Sequence, residues 1–200
     1  MFKFKRRLLT STMLLSLCLF PVLSHAQIRD EEIEVYAALF NHLSKENQTQ
    51  ATIIVLSKTR TLSQNMLGGS AIEIKKSIPE ATESVITDLL RVGEQQSDFD
   101  IPARFVRNGL AFSMLSQKTY FGIFSDTRNL DENWKLLHSR YTKPARLFSF
   151  SRAGIDSDKK QALFVFSSKS GGRSGIGFLV LMQKKWWRWE VVRIENIWVS

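Results

Sequence analysis

A chain of 200 residues, 44% of them hydrophobic, is long enough for one domain with a substantial core and too short to suggest several. Its formal net charge of +9 is concentrated in part at the N-terminus. Its only cysteine, Cys18, excludes an intrachain disulfide framework, and a chain that loses it by cleavage can hold no thiolate metal site.

Met1–Ala26 has the three parts of a secretory signal: a basic stretch (Lys3, Lys5, Arg6, Arg7), an apolar core (Leu8–Leu23) and small residues at Ser24 and Ala26. Thr10, Ser11, Thr12, Ser16 and Pro21 interrupt that core, which falls short of the roughly 20 apolar residues of a membrane span. A lipoprotein signal would place Cys18 at the cleavage point, but bulky Leu17 precedes it. The expectation is a cleaved signal peptide over 1–26 and one domain over 27–200, exported to the periplasm or the medium. Cleavage removes Cys18 and four cations, so the formal charge falls from +9 to +5.

Asp30–Glu46 predicts an amphipathic helix, with Ile33, Tyr36, Ala37, Phe40 and Leu43 on one stripe and three acids in the first turn. Ala51–Leu56 is a β-branched run that predicts a strand. Thr59–Ala71 has the composition of a loop. Ser77-Ile78-Pro79-Glu80 matches a capping box opening a helix that carries Val85, Leu89 and Val92 and stops near Gly93. From Pro102 to Phe124 the helical and strand signals compete, and Asp131–Tyr141 predicts a further helix through Trp134, Leu137 and Tyr141.

Four alternating apolar runs follow: Leu147–Arg152, Gln161–Ser167, Ile176–Gln183 and Trp187–Val199. The second and third are apolar on both faces, which predicts a central pair. Trp187 and Trp189 are in step in the fourth. The interruptions, Asp156–Lys159 and Lys169–Ser174, are too short for helical crossovers and predict an antiparallel meander. The fold class is therefore α+β: N-terminal helices packed on a curved antiparallel sheet of four to five strands.

Ser151-Arg152-Ala153-Gly154-Ile155-Asp156, Gln161-Ala162-Leu163, Gly175-Ile176-Gly177, Trp189 and the terminal Trp198-Val199-Ser200 form one layout. It resembles that of a group of uncharacterised exported bacterial proteins, and Glu34-Val35-Tyr36 with Ile53-Ile54-Val55 resembles the same group's opening. The resemblance implies the fold and the compartment but no functional residue. It departs where the group tends to place a Gly or Asn turn, for here Lys184-Lys185-Trp186-Trp187-Arg188 stands before Trp189.

No catalytic residue, metal ligand set or cofactor motif is expected. His42 and His138 lie on predicted helices without metal-ligand spacing, and no serine sits in a nucleophile motif. Asp156 and Asp158 have the pattern of a turn. Gly171–Gly177 lacks the Lys-Ser/Thr ending of a phosphate loop and precedes a strand, not a helix. One sharp feature remains, the basic aromatic tip of Lys184, Lys185, Trp186 and Arg188. It suits an anionic envelope lipid, a glycan or a protein partner; nucleic acid is not the anion an exported chain meets. The reading is a non-catalytic binding or envelope-associated protein. The alternative is a small-molecule-binding or enzymatic domain with a cavity between helices and sheet, favoured if charged or tyrosine side chains converge on a pocket. Sequencing the N-terminus of protein from fractionated cells should read Gln27 first; an intact Met1 terminus in the cytosol would overturn the export assignment.

Overall fold

The computed structural model describes residues 28–46, 52–62, 70–102, 111–141 and 144–200. The expected signal peptide lies outside these residues. In chain order the elements are α1 (Asp30–Glu46), β1 (Thr52–Leu56), α2 (Ala71–Ser77), α3 (Glu83–Gly93), β2 (Phe112–Leu115), α4 (Gln117–Phe124) and α5 (Leu130–Ser139). β3 (Ala145–Phe150), β4 (Gly154–Ile155), β5 (Gln161–Gly171), β6 (Ser174–Lys185) and β7 (Arg188–Val199) follow.

The α+β class holds, but the sheet is larger than expected and mixed. Among the described residues seven strands form it, in the order β2-β1-β3-β5-β6-β7 with β4 beside β5. β3, β5, β6 and β7 are antiparallel neighbours, as short connections require. β1 instead runs parallel to both β2 and β3. The reason is the length of the connections: α2 and α3 lie between β1 and β2, and α4 and α5 between β2 and β3.

One local expectation is also corrected. α2 begins where the expected loop over Thr59–Ala71 ends, and Ser77 closes it instead of opening the next helix; residues 63–69 of that loop lie outside the described residues. Thr82 caps α3, its hydroxyl accepting from the Val85 N–H at 3.3 Å. The competing signals over Pro102–Phe124 separate, among the described residues, into β2 and then α4, where Ser116 accepts from the Thr119 N–H at 3.1 Å.

Both faces of the sheet are covered. On one, α1 lays Val35, Tyr36, Leu39 and Phe40 over Phe148, Phe150, Phe164, Phe166, Val180 and Met182. Successive rings touch, with Tyr36–Phe150 centroids 4.7 Å apart and Phe166–Phe178 4.9 Å. On the other face α2 and α3 cover Leu163, Val165, Leu179 and Leu181, and α4 and α5 cover Ile54, Ala145 and Leu147. Two register shifts between β6 and β7 explain the broken period of the last apolar run. Val191 pairs with Met182 and Arg193 with Leu181, so Val192 is an extra residue and the facing inverts after it. Val191 and Ile194 consequently pack on the same aromatic core.

A buried ionic latch joins α1 to the segment after β3. The Glu32 carboxylate accepts from Arg152 Nη2 at 2.6 Å and from the Ala153 N–H at 2.9 Å. Tyr36, one turn later, donates to the Ser151 carbonyl at 2.7 Å. Asp88 of α3 accepts from the Ile155 N–H at 2.8 Å and from Arg29 Nη1 at 3.0 Å. Gly154 allows this closeness, because a Cβ there would stand 2.3 Å from the Leu89 backbone nitrogen. Burial by itself would raise the Glu32 carboxyl; the Arg152 hydrogen bonds, the Ala153 N–H and the nearby positive charges outweigh it and hold the group below the ordinary range.

Glu32→Gln should cost about 3–5 kcal/mol in denaturant melts at neutral pH, because Arg152 is left buried without its counter-charge. The folded value lies below the unfolded one, so this contribution is present above about pH 4.3 and lost as the pH falls through the lowered value. The variant should lack that portion of the acid limb; an unchanged acid limb would assign it to other carboxylates.

Candidate functional site

The tip between β6 and β7 is a two-residue turn. Lys185 pairs with Arg188, which makes Trp186 and Trp187 its central residues. Hairpins this tight match the twist of their strands with positive φ in the turn, which favours Gly and Asn. Trp186 adopts φ 58° without that freedom. The left-handed region costs a residue with a Cβ roughly 1–2 kcal/mol.

Trp186 is 92% exposed. Trp187 is 71% exposed, which corrects the expectation that it shares a face with Trp189. The turn interrupts the strand alternation, so Trp187 projects with the loop. Trp189, the second residue of β7, is only 7% exposed and packs in the aromatic core. Its indole Nε1 is buried with no hydrogen-bond partner among the described residues.

The cations that define the tip in the sequence stand close together, yet two of them face acids. Lys184 Nζ lies 3.7 Å from Glu34 of α1 and 5.3 Å above the Trp189 ring. Lys185 Nζ lies 2.9 Å from Glu190. Arg188 sits 5.4 Å over the Trp187 ring. Exposed pairs of this kind add only about 0–1 kcal/mol of stability each. Their larger effect is on the field, which is weaker than a count of three cations suggests.

A groove of about 650 Å³ runs beside the turn, between α1 and the start of β7. Ala37 and Ala38 leave the space on the helix side, and Glu34, Asn41 and His42 line it with polar atoms. Trp187, Arg188 and Glu190 form the opposite wall. Sequence reasoning missed the helix contribution. Its only sequence signal is that Glu34, Asn41 and His42 fall off the apolar stripe of α1, which does not say what faces them.

The other sequence features take structural roles. His138 Nδ1 accepts from the Ala145 N–H at 3.1 Å and Nε2 lies 3.3 Å from the Ser170 carbonyl, which ties α5 to β3 and β5. Asp156 accepts from the backbone N–H groups of Lys160 at 2.6 Å and Gln161 at 2.9 Å, the geometry of a turn. Gly171 and Gly172 belong to the β5–β6 hairpin. No cluster of three or more metal-ligating side chains occurs among the described residues. No protein-family profile, curated protein or solved structure matches the chain.

Trp189→Ala should cost roughly 3–5 kcal/mol, the range for a large aromatic lost from a core. Trp186→Gly should act in the opposite direction and stabilise by about 1 kcal/mol, since glycine relieves the left-handed backbone. Denaturant melts of the two variants measure both, and a loss of stability in Trp186→Gly would show that the exposed ring is held by packing.

Proposed function

We propose that this protein is an exported, non-catalytic binding domain that presents Trp186, Trp187 and the adjoining α1–β7 groove to a glycan of the cell envelope. The observation that carries the reading is the exposed tryptophan pair, one member of which stands at a backbone position that favours glycine. Strain of this kind persists where the surrounding structure imposes it, and it concentrates at functional positions. An indole offers a flat apolar face with one polar edge, which suits the C–H face of a sugar ring. Glu34, Asn41, His42, Arg188 and Glu190 supply acceptors and donors of the kind that sugar hydroxyls use. Export rests on the leader pattern of residues 1–26.

An anionic lipid surface is the weaker reading. Each cation near such a surface contributes about 1 kcal/mol. Glu34 and Glu190 stand beside Lys184 and Lys185 and offset much of that attraction. A glycan needs no net charge and uses the acids as well as the bases.

Co-sedimentation with insoluble peptidoglycan tests the proposal, with soluble N-acetylglucosamine oligomers as competitors and tryptophan fluorescence as a second readout. The wild type should sediment and be released by the oligomers. The Trp186→Gly/Trp187→Ala variant, with its fold checked by circular dichroism, should bind at least about tenfold more weakly, a loss of roughly 1.4 kcal/mol. Binding to anionic vesicles at low salt without binding to glycan would replace the sugar with lipid, and binding to neither would reduce the tip to a hairpin cap.

A further inference from the structure

A second site lies on the opposite face of the sheet, where the helical cover is divided. α2 and α3 pack over one part of that face and α4 and α5 over another. Between them the face becomes polar: Ser149 of β3 pairs with Ser167 of β5, and Leu147 pairs with Lys169. A recess of about 230 Å³ opens there, and Lys58, Arg60 and Lys169 all line it. Lys58 and Arg60 reach it because the chain beyond β1 continues alongside the sheet. The Arg60 N–H donates to the Phe150 carbonyl at 2.6 Å, and Arg60 bridges to Ser151.

The charge in this recess is one-sided. No carboxylate lines it among the described residues, and none of the three cations forms an ion pair with a described residue. Burial, and after it the charge of Arg60, push the Lys169 ammonium below its ordinary value. Two further groups await a partner. The buried hydroxyls of Ser149 and Ser167 are 2.8 Å apart, so one donates to the other and the second proton finds no acceptor among the described residues. Gln117 Oε1 is likewise buried without a partner. Crowded cations and a spare hydroxyl proton on one concave surface are the complement of an oxyanion, whereas the Gln117 oxygen, an acceptor, calls for a donor elsewhere on the ligand.

We propose that this recess binds a compact organic anion. Its acid group meets Lys58, Arg60, Lys169 and the serine pair, and its body lies against Leu56, Leu147 and Tyr120, which also line the recess. The volume is below the roughly 300–1,000 Å³ of sites for drug-sized ligands, so the ligand is a few carbons long, not a nucleotide or a polymer. The site is separate from the tryptophan tip and does not depend on it.

The test is calorimetric titration of the purified protein in a low-salt zwitterionic buffer with inorganic phosphate, acetate, succinate and citrate, with melting temperatures recorded alongside. At least one probe should bind saturably at one site per chain, and the phosphate and carboxylate arms identify the acid group. Arg60→Gln and Lys58→Gln should each weaken binding by about tenfold. Lys169→Met, which keeps the apolar stem, should abolish binding and raise the melting temperature of the unliganded protein, because it removes the like charge beside Arg60. The proposal fails if no probe binds saturably, if binding survives in Arg60→Gln and Lys58→Gln alike, or if Lys169→Met lowers the unliganded melting temperature.

Discussion

Glu32 is a carboxylate in the interior of the protein, and the position of α1 follows from how it is satisfied. An isolated buried carboxylate is not tolerated, so a cation and further donors must be brought to it. Arg152, the Ala153 N–H and Arg29 supply them. Arg152 Nη1 also reaches Ser97 at 3.2 Å, which draws in the segment after α3. The bulk of the attraction comes from the aromatic layer between α1 and the sheet, which is non-directional. The latch adds direction, because only one placement of α1 brings Glu32 to Arg152 while Tyr36, four residues on, reaches the Ser151 carbonyl.

Two stretches far apart in the chain meet at this latch. Tyr36 comes from Glu34-Val35-Tyr36, and Ser151, Arg152 and Ala153 begin the other. These contacts give both stretches a role in folding. Burial of Tyr36, reinforced by the Glu32 charge, pushes its phenol well up and keeps it a hydrogen-bond donor.

The two faces of the sheet have different consequences. The face under α1 is filled by rings and has a groove at its margin, beside the turn that carries Trp186 and Trp187. The other face has two separate helical covers, and the polar gap between them is where Lys58, Arg60 and Lys169 gather. An apolar residue at Ser149 or Ser167 would have extended the core across that gap. The hydroxyl pair keeps it polar instead.

Several features were legible in the sequence because they depend on neighbours along the chain. The stripe from Ile33 to Leu43 predicts α1, the alternation from Phe148 to Trp189 predicts the meander, and the basic aromatic tip is recognisable as a turn. Other features depend on partners far away in sequence. β1 lies parallel to β3 because long connections bring it there, and nothing within Thr52–Leu56 says so. Ser77 satisfies a capping pattern but ends a helix, since the chain has a better cap in Thr82. Glu32 reads as one of three acids in a helical first turn, and only Arg152, 120 residues later, makes it an interior charge. Lys58 and Arg60 lie on one segment and Lys169 on another, and they look like ordinary surface cations until the fold places all three around one recess. Periodicity and turn chemistry are local and survive in a string of letters. Burial, charge compensation and convergence are properties of the folded surface, so the tertiary structure alone decided them.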